Sequence, residues 1–79
     1  MKNIEQTVKE LVSQNTYPVI SADDLNDETR FMNINIDSLD IIQIAMECEE
    51  EFDVTLPDRF VEDVRTIGDL VKLIQYYRK

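Results

Sequence analysis

Apolar residues recur at helical spacing along three segments of this chain, and that periodicity most constrains its fold. In the first segment, Ile4, Val8, Leu11 and Val12 mark one face of an amphipathic helix. One glycine and two prolines occur among the 79 residues, so few positions interrupt helices, and a turn-rich β architecture is disfavoured. We therefore expect an all-α fold, and the short length predicts one domain over residues 1–79.

A long loop should follow the first predicted helix. Asn3 is a suitable N-cap for that helix, and Pro18 should prevent the helix from continuing. The helical pattern is then lost over residues 16–37, within which residues 21–24 resemble a capping box and predict one short helical turn. A loop of this length in a small domain is usually functional or packed by its own side chains.

The clearest predicted helix runs from Ser38 to Phe52, with Asp37 as its cap and Asp40 near the positive end of the helix dipole. Its main apolar stripe, which should face the core, consists of Ile41, Ile44, Ala45, Cys48 and Phe52. A second, narrower stripe consists of Leu39, Ile42 and Met46. This second stripe is either a partner surface or a second buried face, and periodicity alone leaves both open.

Two further helices are predicted in the last third of the chain. Asp58 can cap a short third helix through Phe60 and Val61. Residues 66–69 read Thr-Ile-Gly-Asp, a capping-box pattern that should start a last helix reaching Tyr77. The sum is a four-helix bundle with three main helices, one short third helix and a long loop between helices 1 and 2.

The charge balance narrows the choice of partners. The net charge is −9, which disfavours nucleic acid and anionic membrane surfaces and favours basic protein partners. No stretch is apolar enough to span a membrane, the start of the chain lacks a hydrophobic signal region, and the lone Cys48 excludes an internal disulfide. We therefore expect a cytoplasmic monomer that does not insert into membranes.

Ser38 is the most informative single residue. The chain has no histidine, so a histidine-activated serine nucleophile is excluded and a small hydrolase is disfavoured. A serine at a helix start is most often a cap, but here Asp37 can take that role and leave the Ser38 hydroxyl free. A free hydroxyl beside the first backbone N–H groups of a helix suits a phosphate ester. We therefore interpret Ser38 as a site that another enzyme modifies.

The acidic residues around Ser38 suggest docking rather than metal binding. Asn33, Asn35 and Asp37 alternate as in the first half of an EF-hand loop, but the glycine and the bidentate glutamate of that loop are missing. From Asp37 to Asp63 the only basic residue is Arg59. This acidic run is either a solvated face or a patch that attracts a basic partner, and both interpretations stay open. Cys48 is expected to be a small buried hydrophobe.

Three segments of the chain resemble motifs of the acyl carrier proteins, and the resemblance as a whole extends over nearly all of the chain. Residues 33–40 read Asn-Ile-Asn-Ile-Asp-Ser-Leu-Asp, which is similar to the family's Asp-Leu-Gly-x-Asp-Ser-Leu-Asp. Residues 49–52 and 56–58 resemble the family's Glu-Glu-Phe and Ile-Pro-Asp segments. Residues 66–69 are similar to its Thr-Val-Gly-Asp.

The resemblance implies a four-helix acyl-carrier fold, no catalytic activity and one covalent cofactor. A phosphopantetheinyl transferase would move 4′-phosphopantetheine from coenzyme A onto Ser38, and the terminal thiol would carry acyl intermediates as thioesters in fatty-acid or related acyl-chain biosynthesis. Further partners would be acyl-transfer and chain-elongation enzymes with basic docking surfaces. The positions that match the family's partner surface are Asp37, Leu39, Asp40, Met46, Glu49, Glu50, Leu56 and Asp58.

Four departures from the family pattern keep other pathways open. Asn33 and Asn35 replace the usual aspartate and glycine, and Gln43 stands where a glutamate is common. Phe31 lies seven residues before Ser38, a spacing frequent in polyketide-type carriers. The alternatives are a specialised discrete carrier of a polyketide, nonribosomal peptide or modified-lipid pathway and an unmodified acidic helical adaptor.

Overall fold

The computed structural model describes residues 3–17 and 19–78, and Pro18, where we expected a barrier to the first helix, lies outside them. Three α-helices form in these residues: α1 (Ile4–Gln14), α2 (Ser38–Phe52) and α3 (Ile67–Tyr77). Short 3₁₀ turns form at Ala22–Asp24, Phe31–Ile34 and Phe60–Glu62. The expectation of an all-α fold is confirmed, since the described residues form no named strand and one isolated β-bridge between Arg30 and Thr66.

The short third helix of the predicted bundle is reduced to a 3₁₀ turn, so the described residues form three α-helices and the count of four is not confirmed. The segment expected to form this short helix makes only the 3₁₀ turn Phe60–Glu62, and the cap position is held by Arg59 without a side-chain hydrogen bond. The prediction that Asp58 caps a short helix is therefore wrong. The physical reason is that few residues separate this segment from Val64. Because Val64 is buried in the core, the chain before it has room for little more than one helical turn.

The other predicted caps are present. Asn3 Oδ1 accepts a hydrogen bond from Gln6 N at 2.7 Å, and the side chain of Ser21 caps the first 3₁₀ turn. Helix α1 ends at Gln14, where Asn15 Nδ2 donates to the carbonyl oxygen of Leu11 at 2.8 Å. These local side-chain bonds satisfy backbone groups that a helix end leaves without partners.

Helix α1 packs against both α2 and α3, and the core lies between the three helices. The largest side chains that are fully buried are Val8, Val12, Phe31, Ile44, Cys48, Ile67, Leu70 and Ile74. The main apolar stripe of α2 faces this core as predicted, with Phe52 half-buried at its end. Within residues 3–17 and 19–78, every helix is too short or too polar to cross a lipid bilayer.

The long loop is fastened to the chain that leads into α3. Phe31 N donates to Arg65 O at 3.0 Å, Ile67 N donates to Thr29 O at 3.0 Å, and Gly68 N donates to Asp27 O at 2.9 Å. Because these bonds pair residues far apart in sequence, they fix the loop against the N-terminal end of α3. They also fix the direction from which the chain enters α2.

Candidate functional site

The chain reaches α2 through a residue in the left-handed backbone region. Asn35 has φ 62° and ψ 35°, and the next residue, Ile36, is buried and donates its N–H to Phe31 O at 3.0 Å. Asparagine is among the few non-glycine residues that visit this region readily. The left-handed turn at the glycine position of the family motif therefore forms with asparagine.

Asp37 and Asp40 make a reciprocal capping box at the start of α2. Asp37 Oδ1 accepts from Asp40 N at 3.0 Å, and Asp37 N donates to Asp40 Oδ2 at 3.4 Å. The prediction that Asp37 caps the helix is confirmed. Ser38 is the first residue of α2, is exposed, and its hydroxyl makes no hydrogen bond within the described part of the chain. An external reagent can therefore reach this hydroxyl without breaking the cap.

A pocket of about 350 Å³ opens beside Ser38. Its floor is apolar and is formed by buried side chains of the loop, α2 and the segment before α3: Phe31, Ile36, Ile41 and Val64. Exposed or half-buried Met32 and Val61 lie at its rim. This volume is at the lower end of the range typical of small-molecule sites, so the pocket can hold a short apolar group next to the Ser38 hydroxyl.

The second apolar stripe of α2 faces solvent rather than a second core. Leu39 is 75% exposed and Met46 is 55% exposed, with Ile42 between them at 37%. Exposed acids adjoin the stripe, among them Glu50. The structure thereby excludes the second buried face that periodicity left open.

Three positions of the expected partner surface are not fully exposed: Asp40 and Glu49 are half-buried, and Leu56 is buried. Leu56 is only 6% exposed, so its side chain belongs to the core, which corrects the expectation that it offers a surface contact. Glu49 is half-buried, and its Oε2 accepts a hydrogen bond from Leu56 N at 2.8 Å. Glu49 thus holds the chain after α2 in place. Asp58 is exposed but caps no helix.

Cys48 lies in the core, and its thiol is expected to be unreactive. Burial raises the pKa of its thiol from 9.0 to about 12, and the charges of Glu47, Glu51 and Glu49 add to the effect. A protonated, buried thiol is a poor nucleophile. The prediction of a small buried hydrophobe is confirmed.

In the described part of the chain, no three acidic, cysteine or histidine side chains lie close enough to hold a metal ion.

Sequence reasoning missed Arg30, Met32 and Arg65 as neighbours of Ser38. All of them line the pocket beside it. No periodicity or motif marks them, because they come together only through the backbone pairing of the loop with the segment before α3. The one available signal is the buried Phe31 at the centre of that loop.

The comparisons with known proteins agree with this geometry. The chain matches the family model described as "Phosphopantetheine attachment site" over residues 6–74. It is 35% identical over 69 residues to an acyl carrier protein of Sulfurovum sp. (strain NBC37-1), covering 86% of this chain and 89% of that protein. It is 30% identical over 78 residues to an acyl carrier protein of Lactobacillus acidophilus, covering 98% of this chain and 95% of that protein. This chain therefore belongs to the acyl carrier protein family, as a non-catalytic carrier with a domain for attachment of 4′-phosphopantetheine.

Proposed function

We propose that Ser38 is the residue that receives the 4′-phosphopantetheine group, and that the loaded protein carries acyl intermediates for fatty-acid or related acyl-chain biosynthesis. The observation that carries this proposal is the exposed hydroxyl at the first residue of α2, left free because Asp37 and Asp40 form the cap.

The residues around Ser38 fit such a group. The first backbone N–H groups of α2 lie beside the hydroxyl and favour the phosphate oxygens of an ester. In the transfer, the Ser38 oxygen attacks the phosphorus of coenzyme A that bears the pantetheine. A new O–P bond forms, the pyrophosphate bond breaks, and the adenosine bisphosphate portion leaves. The hydroxyl proton passes to a general base of the transferase or to water.

The exposed stripe of α2 would guide enzymes to this site. Leu39 lies directly after Ser38, and Ile42 and Met46 continue the apolar strip along the helix. An apolar centre with a charged rim is the usual anatomy of a protein interface. The acids of the rim would speed encounter with transferase and acyl-processing enzymes that present basic surfaces, and salt would weaken this effect.

A mass measurement tests the attachment site. The purified protein is incubated with coenzyme A and a phosphopantetheinyl transferase of broad specificity, and its intact mass is recorded. We expect the mass of one phosphopantetheine to be added to the wild type and to Ser21→Ala, and no addition to Ser38→Ala. Ser21 is a matched control because it is an exposed serine that caps a turn outside the site. An unmodified wild type, with a transferase that modifies a known carrier, would overturn the proposal.

A specialised pathway is the second candidate. It is favoured by the buried Phe31 seven residues before Ser38 and by Asn35 at the turn. Mass spectrometry of the protein isolated from its native host distinguishes the two, because an unmodified saturated acyl thioester supports fatty-acid biosynthesis. A polyketide or aminoacyl thioester supports the specialised role.

A further inference from the structure

The pocket beside Ser38 brings two arginines together in a strongly acidic protein. The net charge of the chain is −9, yet two of its four arginines, Arg30 and Arg65, line this one pocket. Both side chains are exposed, and neither forms an ion pair or a side-chain hydrogen bond within residues 3–17 and 19–78.

The backbone holds the two arginines together. The hydrogen bond from Phe31 N to Arg65 O, at 3.0 Å, and the antiparallel bridge between Arg30 and Thr66 put both residues on adjacent chain segments at the pocket. The neighbouring bond from Ile67 N to Thr29 O continues this pairing. The backbone positions of Arg30 and Arg65 are therefore fixed relative to each other. Both residues lie on the side of the pocket that the loop and the segment before α3 form.

Two acids, Asp37 and Glu62, line the same pocket, so it holds as many carboxylates as guanidinium groups, but neither acid forms an ion pair with an arginine within the described residues. Asp37 Oδ1 already accepts from Asp40 N in the cap of α2. Glu62 also lines the pocket and is the acid that can compete for one guanidinium. One carboxylate cannot satisfy two arginines, each of which presents a planar fork of donors suited to carboxylate or phosphate oxygens.

We infer that Arg30 and Arg65 form an oxyanion subsite that binds an anionic group of the loaded arm. Two groups share this chemistry: the phosphodiester attached at Ser38, and a carboxylate at the far end of the acyl group. The inference rests on the proposed attachment at Ser38. If the carboxylate is the occupant, the subsite makes this carrier selective for dicarboxylic over simple acyl groups.

The test compares arms of equal length with and without a terminal carboxylate. Wild type, the double variant Arg30→Gln/Arg65→Gln and the control Arg59→Gln are each prepared unmodified, with the bare arm, with a hexanoyl arm and with an adipoyl arm. Arg59 is exposed and does not line the pocket, so its variant has one fewer positive charge without touching the subsite. Loading is verified by intact mass, and the melting temperature of each form is measured at low and at high salt.

In the wild type we expect the anion to raise the melting temperature by about 2–5 °C relative to the unmodified protein, and the double variant to lose that rise. A rise already present with the bare arm identifies the phosphodiester, and a rise seen with adipoyl but not hexanoyl identifies the carboxylate. Either rise in melting temperature should be smaller at high salt, because salt screens the charges. The same rise should be present in Arg59→Gln. The unmodified double variant should melt like the wild type, because both side chains are exposed, and Arg30→Lys/Arg65→Lys should retain part of the rise.

Two failures are distinguishable. If no phosphopantetheine is added to the wild type, the proposed attachment and this inference both fall. If every form is loaded and the double variant shows the same shifts as the wild type with all arms, the oxyanion subsite alone is overturned.

Discussion

Asp37 and Asp40 cap helix α2 for each other, with Asp40 N donating to Asp37 Oδ1 at 3.0 Å and Asp37 N donating to Asp40 Oδ2 at 3.4 Å. This pair separates two tasks that a serine at a helix start would otherwise combine. Asp37 secures the helix, and Ser38 is left available for modification. The two tasks can therefore be removed independently.

The first prediction follows from that separation. Asp37→Ala should lower the free energy of unfolding by about 1 kcal/mol, because it removes an N-cap. Ser38→Ala should change it by less than about 0.5 kcal/mol, since the hydroxyl makes no bond that the fold uses. Urea unfolding followed by circular dichroism measures both values. A loss for Ser38→Ala as large as that for Asp37→Ala would show that Ser38 shares the capping role.

The exposed stripe of α2 gives a second prediction. Leu39→Ala should lower kcat/KM for modification by a phosphopantetheinyl transferase roughly fivefold, because it removes an apolar side chain at the centre of the docking surface proposed above. Val19→Ala is the control, since Val19 and Leu39 are both 75% exposed and Val19 lies outside α2. Neither variant should unfold at a lower urea concentration than the wild type. Equal rates for Leu39→Ala and wild type would mean that the stripe is not where the transferase docks.

Gly68 gives a third prediction, in which sterics and helix propensity oppose each other. Alanine is favoured over glycine inside a helix by about 1 kcal/mol, so propensity alone predicts that Gly68→Ala stabilises α3. A Cβ at this position would lie 2.8 Å from Asp27 O, a backbone atom that also accepts the hydrogen bond from Gly68 N. Overpacking of this kind costs about 1–3 kcal/mol, so we expect net destabilisation.

The control for Gly68→Ala is Gln75→Ala, at an exposed position of the same helix. It should change the free energy of unfolding by less than about 0.5 kcal/mol. Chemical denaturation of both variants gives the comparison. A stabilised Gly68→Ala would indicate that the loop can move away from α3 at little cost.

Two buried threonines give a fourth prediction with opposite signs. Thr7 Oγ1 is buried and has no hydrogen-bond partner within the described residues, so Thr7→Val should stabilise the protein by about 1 kcal/mol. Thr16 Oγ1 donates to Ser13 O and accepts from Ile20 N, both at 2.8 Å. Thr16→Val should therefore destabilise the protein by about 1–3 kcal/mol. Melting curves of the two variants suffice, and a destabilised Thr7→Val would point to a bound water at that hydroxyl.

The fifth prediction concerns Cys48 and alkaline pH. Its pKa is about 12 in the folded protein and 9.0 for an unperturbed thiol. Well below pH 9.0 the thiol is protonated in both states, and its contribution to stability is complete. As the pH rises from there towards 12, the unfolded thiol ionises first, so stability falls. Cys48→Ala should be less stable at neutral pH but should lose less stability over this range.

Alkylation gives an independent check on Cys48. At pH 8 the native, loaded protein should take up one iodoacetamide, on the thiol of the attached arm, because Cys48 is buried and protonated. The urea-unfolded protein should take up two. Rapid double labelling of the native protein would contradict the assigned burial.

The sequence by itself determined the three long helices, their caps and the candidate attachment residue. Helical periodicity and capping act between residues three or four positions apart, so the pattern around Asp37 and Asp40 can be read without the fold. The same locality explains why Ser38 could be singled out. It also explains the correct assignment of the main apolar stripe, whose width already matched a buried face.

Only the tertiary structure decided what surrounds that residue. It left the second stripe of α2 exposed, buried Leu56, reduced the expected third helix to one turn, and brought Arg30 and Arg65 to the pocket beside Ser38. Each of these outcomes depends on contacts between segments far apart in sequence. Burial is set by which elements pack together, and the pairing of the loop with the start of α3 that creates the pocket leaves no local pattern in the chain.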